Sequence, residues 1–261
     1  MRKRRDELCS LFRDHGFRLT GLADPLAAAS VGASLSAPFV SIGDLQGRPR
    51  DQAFDAIVAT GDPAVRAGLL ALAVATDGEL EALAVRAAGR MDGADPPWVA
   101  KARSPLKLLS TDRLLDQHDG GRSALVVAFG QGSRRACFFM RFHPDSLLTE
   151  SIIYLPETDR NSLVAEIASG RGPAAPYRFS RRLEQTETQA SMVSLVGALL
   201  EQNDWNLRRG RPLYPPALRE LSRISDVVVV PAILVLLRKF VASAYGIGRW
   251  TDVDPHATAW L

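Results

Sequence analysis

Cysteine, lysine and histidine are all scarce in this chain. Cys9 and Cys137 are the only two cysteines among 261 residues, too few for a disulfide framework and without the paired spacing of a zinc knuckle. A reducing cytoplasm is the compartment such usage fits. Long apolar runs are also missing. The longest, residues 227–237, falls well short of the roughly 20 residues that span a bilayer, so no transmembrane segment is expected. The start MRKRRDELCSLF has a basic opening, but Asp6 and Glu7 interrupt it and no apolar core of a signal peptide follows. The expectation is a cytoplasmic protein.

Catalytic signatures are equally sparse. There is no HExxH, GxSxG or SxxK arrangement in suitable surroundings, no three-glycine dinucleotide fingerprint and no P-loop. No cofactor is expected. Lysine supplies only 4 of the 32 basic residues, and arginine the other 28. Up to residue 97 there are 11 basic and 13 acidic residues, a balance of −2; the remainder has 21 and 16, a balance of +5. A bias this modest does not by itself define a nucleic-acid protein.

What is present is a change of pattern along the chain. Residues 3–15 place Leu8, Leu11 and Phe12 at helical spacing, with Gly16 read as the stop. Residues 19–47, rich in Ala, Ser and Gly and broken by Pro25 and Pro38, read as interrupted helix and loop. Residues 50–91 carry Ala, Leu and Val at helical spacing, and Gly61-Asp62-Pro63 and Thr76-Asp77-Gly78 divide them into three helices. Asp62 is placed to cap the second, with Pro63 in its first turn. The stretch Asp62-Pro63-Ala64-Val65-Arg66, followed by Gly68, Leu69, Leu70, Ala71 and Leu72, resembles the core of a HEAT-type helical repeat. That resemblance covers about residues 50–91 and implies protein contact; no second matching period occurs, and an ordinary helical bundle is the favoured reading.

After Gly93-Ala94-Asp95-Pro96-Pro97, a candidate linker, strand-like runs replace helical ones at residues 106–109, 124–129, 136–142 and 151–155. A short helix is expected at 161–169 and a longer one, built on Met192, Leu195, Val196, Leu199 and Leu200, at 186–202, with a strand between them at 176–180. Pro215-Pro216 can open a further helix. Residues 231–241 leave no wholly polar face ahead of Arg238 and Lys239, so they are expected to form an enclosed core helix, with a dimer interface as the alternative. The fold class is α+β: an N-terminal helical portion, residues 1–97, followed by an antiparallel sheet flanked by helices, residues 98–261, as two domains or one continuous one.

Three groups of side chains carry candidate chemistry. Asp116, His118, His143, Asp145 and Glu150 are residue types that bind divalent metals or exchange protons, although their spacing matches no rigid ligand motif and His143-Pro144-Asp145 also reads as a turn. No metal site is the favoured expectation. Gly130-Gln131-Gly132-Ser133-Arg134-Arg135 has the ingredients of a phosphate-binding nest, against which stands a solvated hairpin turn. Arg181 and Arg182, with Arg208, Arg209 and Arg211 beside Trp205, offer guanidinium groups for phosphate. Cys137, in an apolar strand, reads as a buried, inert thiol. The favoured function is a non-catalytic interaction or regulatory protein with a protein partner or self-association; nucleic-acid or nucleotide-phosphate binding through arginines comes second, and a metal-dependent enzyme using His118 and His143 third.

Overall fold

The computed structural model describes residues 2–40, 48–118, 123–142, 149–156, 158–170, 176–183 and 230–245. Its contacts divide the chain into two units, Met1–Ser104 and Pro105–Leu261.

The first unit is helical: α1 (Arg2–Thr20), α2 (Pro25–Val40), α3 (Arg48–Val58), α4 (Pro63–Ala75), α5 (Gly78–Gly89) and α6 (Pro97–Ala102). Its centre is α4, on which Ala64, Val65, Ala67, Gly68, Leu69, Ala71, Leu72, Ala73 and Ala75 are all buried. Asp62 caps it by accepting from the Ala64 amide at 2.9 Å, with Pro63 at the first helical position, where no donor is lost.

Two expectations for this region are corrected. Gly16 does not stop α1, which continues to Thr20. A Cβ at Gly16 would lie 1.9 Å from the Ala64 carbonyl oxygen, and one at Gly32 of α2 would lie 2.0 Å from that of Ala71. Both glycines exist to let a neighbouring helix meet the α4 backbone. Residues 25–40, expected to be broken, form one helix because their small residues are contact residues: Ala28, Ala29, Ala33 and Ser36 are buried. Asp24 starts it, accepting from the Leu26 amide at 2.9 Å, and Pro38 falls in its last turn.

The helical unit also runs past Pro97. Trp98 is fully buried with Leu19, Ala28, Ala67 and Ala71, and its indole N–H donates to the Leu19 carbonyl at 3.1 Å. A large aromatic with its one polar atom satisfied fixes α6 to the helices before it.

The second unit is built on a five-stranded antiparallel sheet in the order β4-β3-β2-β1-β5. The strands are β1 (Leu106–Asp116), β2 (Ser123–Gln131), β3 (Arg134–Phe142), β4 (Thr149–Pro156) and β5 (Tyr177–Arg182), with α7 (Arg160–Ser169) between β4 and β5 and, last among the described residues, α8 (Val230–Tyr245). The β2–β3 turn is a two-residue hairpin: Gln131 pairs with Arg134, and Gly132 takes φ +59, the left-handed conformation such tight turns need.

Alternation along the strands makes two cores. Leu114, Ala124, Val126, Ala128, Cys137, Phe139 and Tyr177 cluster with Leu163 of α7 on one face. On the other, Phe240 of α8 meets Phe129, Phe138 and Tyr154 with ring centroids 5.3, 5.5 and 5.9 Å apart. Covered on both faces, β2 is buried at every residue after Ser123. The enclosed helix expected at 231–241 is thus a core helix on the sheet: Val235, Leu236, Leu237, Phe240 and Val241 are buried. The helices expected at 186–202 and after Pro215 lie outside the described residues. No helix among the described residues is long and apolar enough to cross a membrane.

Candidate functional site: an arginine-lined sheet edge around a buried aspartate

Among the described residues of the second unit, one carboxylate is buried. Asp112 of β1 is 1% exposed, in the inward-facing set that also contains Leu114. A buried ionised carboxylate must be met by donors, and three side chains meet it. The Ser110 hydroxyl donates to Oδ2 at 3.0 Å, Arg160 Nε to Oδ1 at 3.3 Å and Arg182 Nε to the same Oδ1 at 3.4 Å.

Each arginine is delivered by a different element. Arg182 ends β5, directly opposite Asp112 in register. Arg160 opens α7, whose first turn is held by Asp159: its carboxylate accepts from the Ser162 amide at 2.8 Å and the Ser162 hydroxyl at 3.0 Å, contacts that keep its carboxyl below the usual range. The Arg160 guanidinium also lies over the Phe179 ring, 4.8 Å from its centroid.

Beneath the cluster, Cys137 is fully buried and donates to the Thr158 carbonyl at 3.3 Å. Burial, then the charges of Asp159 and Asp112, push its thiol up to about 12. A thiol so disposed is no nucleophile at neutral pH.

The same edge is cationic on both faces. Along β5 the sequence YRFSRR contains no acid, and Arg178, Arg181 and Arg182 are exposed. Arg182 shares the Asp112 face with Arg160; Arg181 pairs with the exposed Arg113 of β1, and Arg178 with Leu115. Among the described residues β5 has a neighbouring strand on one side only.

Of the residues singled out from sequence, Arg182 joins this cluster and Arg181 stands beside it. Arg134 and Arg135 open β3 directly after the β2–β3 turn, where the Arg135 guanidinium donates to the Gly132 and Arg134 carbonyls at 3.0 and 2.8 Å. Asp116 and His118 lie at the end of β1, where the Asp116 carboxylate accepts from the His118 amide at 2.8 Å. Glu150 is the second residue of β4, at the same end of the sheet, but β2 and β3 intervene, separating the two backbones by about 14 Å. His143, Asp145, Trp205, Arg208, Arg209 and Arg211 lie outside the described residues. No group of three His, Cys, Asp or Glu among the described residues could hold a metal ion.

Asp112, Arg113, Arg160 and Arg178 were missed from sequence. The signal was the period of two: once β1 is extended to Asp116, Asp112 falls in phase with the inward Leu114, a position where an acid calls for a partner. Comparisons with family models, curated proteins and solved structures found no match for this chain.

Proposed function

We propose that this chain is a non-catalytic interaction protein whose second unit binds an extended acidic segment of a protein partner alongside β5. The observation that carries the reading is the strand itself: three exposed arginines in six residues, no acid, and further cations from Arg113 and Arg160 on the two faces. A strand added to a sheet edge turns its side chains alternately to both faces, and here each face offers guanidinium groups. Charge on an edge strand also discourages pairing with another copy of the same edge, which leaves an opposite charge as the favoured partner. The HEAT-like segment across α3 to α5 belongs to the same reading, since such helical pairs serve protein contact.

The test is fluorescence anisotropy at low salt with a labelled peptide of about eight alternating Thr and Glu residues, long enough to pair along one strand. Binding should weaken as salt rises and be lost in Arg178→Glu with Arg181→Glu. Absence of binding, or indifference to that reversal, refutes the proposal. A mixed-sequence oligonucleotide that binds more tightly than the peptide, with a steep salt slope, would transfer the site to nucleic acid.

A further inference from the structure

The two arginines on Asp112 are held in an unusual way for a simple ion pair. Both contact the carboxylate through Nε, and both do so at the single oxygen Oδ1. Their terminal nitrogens therefore remain for another acceptor, and among the described residues those nitrogens have none. The guanidinium groups stay accessible, with side chains 39% and 56% exposed, while the carboxylate that orients them is 1% exposed. Phe179 fixes the plane of one of them. A planar fork held at its Nε, with its Nη groups left to donate, is the geometry that receives an oxyanion with two parallel hydrogen bonds.

We infer that Arg160 and Arg182 form a clamp for one side-chain carboxylate of the bound acidic segment, and that Asp112 is the positioning residue that orients both guanidiniums. The inference rests on the docking reading above. Charge selects the ligand: two guanidiniums and one carboxylate leave +1, which a second carboxylate neutralises. A phosphate monoester, carrying nearly two charges at neutral pH, would overcompensate and set its excess beside the buried Asp112.

The same peptide assay tests this with opposite signs for the competing explanations. Asp112→Asn raises the net charge of the edge, so attraction alone predicts binding about threefold tighter for a charge gained some 6 Å from the ligand. The clamp predicts binding about five- to tenfold weaker, because the anchor is lost. Arg160→Lys with Arg182→Lys preserves every charge but not the forks, and should weaken binding by about tenfold. Binding that tightens or holds in Asp112→Asn, or holds in the lysine pair, overturns the clamp while leaving docking along β5 intact. Failure of the wild-type chain to bind the peptide removes both. Replacing the central Glu by phosphoserine should weaken or maintain binding; a marked gain would overturn the carboxylate assignment. Thermal melts of each variant accompany the titrations, and if Asp112→Asn does not fold, the lysine pair decides.

Discussion

Replacing Gly16 by alanine separates two physical accounts of α1 by sign. If the glycine merely occupied a solvated helix, alanine would stabilise the chain by up to about 1 kcal/mol, since glycine is the poorer helix former by that amount. In the structure the new Cβ would sit 1.9 Å from the Ala64 carbonyl oxygen and 2.5 Å from its carbon. Both atoms are backbone, in the first turn of α4, so no rotamer relieves the overlap. Opening the contact to 3.0 Å, the limit below which real Cβ contacts essentially never fall, requires a shift of about 1 Å between packed helices. Overpacking of this kind costs about 1–3 kcal/mol, here toward the upper end because the obstacle is backbone. After the propensity gain the net destabilisation is about 2 kcal/mol, a loss of roughly 10 °C in Tm if the helical unit unfolds as its own block. Urea and thermal denaturation followed by far-ultraviolet circular dichroism would measure it. Gly89→Ala, at the end of α5 with nothing within 4 Å of the added Cβ, is the control and should be neutral or slightly stabilising. A Gly16→Ala protein as stable as wild type would refute the close-contact account.

Phe240→Ala removes the ring that three aromatic residues of the sheet surround; a loss of about 3–5 kcal/mol is expected in denaturant titration. Cys137 should resist alkylation in the folded protein at pH 8 and react once urea unfolds it; equal rates in both states would contradict its burial. Because burial holds its folded value at about 12, above the 9.0 of an exposed thiol, its contribution to stability is fully present below about pH 9 and is lost as pH rises toward 12. Stability measured across that interval should fall less in Cys137→Ala than in the wild-type chain. Asp62→Ala deletes the cap of α4 and its pairing with Arg13 at 3.2 Å; most of the expected loss of about 1 kcal/mol comes from the cap, since Arg13 is largely exposed.

The elements legible in the sequence were those whose signals are local. The turns at Gly61-Asp62-Pro63 and Thr76-Asp77-Gly78 stop and start helices through caps, and the structure places α3, α4 and α5 around them. Strands β2 and β3 could be read from continuous apolar runs, and α8 from a helix apolar around most of its circumference. Gly16 and the segment of α2 were misread because glycine and small residues carry two meanings: in isolation they break helices, and at a helix crossing they admit a neighbouring backbone. Which meaning applies depends on α4, some fifty residues away from Gly16. The extent of β1 was underestimated for a related reason. Its register shifts between Leu108 and Ser110, so the alternation that identifies a strand changes phase partway along, and Asp112 then interrupts the apolar set.

That interruption is also why the candidate site was hidden, and its energetics bear on what it is for. A buried carboxylate surrenders hydration that its partners must replace, and an apolar side chain of similar volume commonly fills such a position at no loss of stability. The partners of Asp112 are poorly suited to a purely stabilising role: both arginines retain much of their exposure, both use one oxygen, and their contacts of 3.3 and 3.4 Å exceed the ideal charge-assisted length. Screening by water weakens each attraction at the arginine end, whereas the desolvation of Asp112 is nearly complete. What the arrangement does secure is orientation, because one fixed anion draws together guanidiniums from β5 and α7, two elements that would otherwise present them independently. Orientation has value where a ligand must meet both at once, and that is the physical basis of the proposal that this edge is a recognition surface.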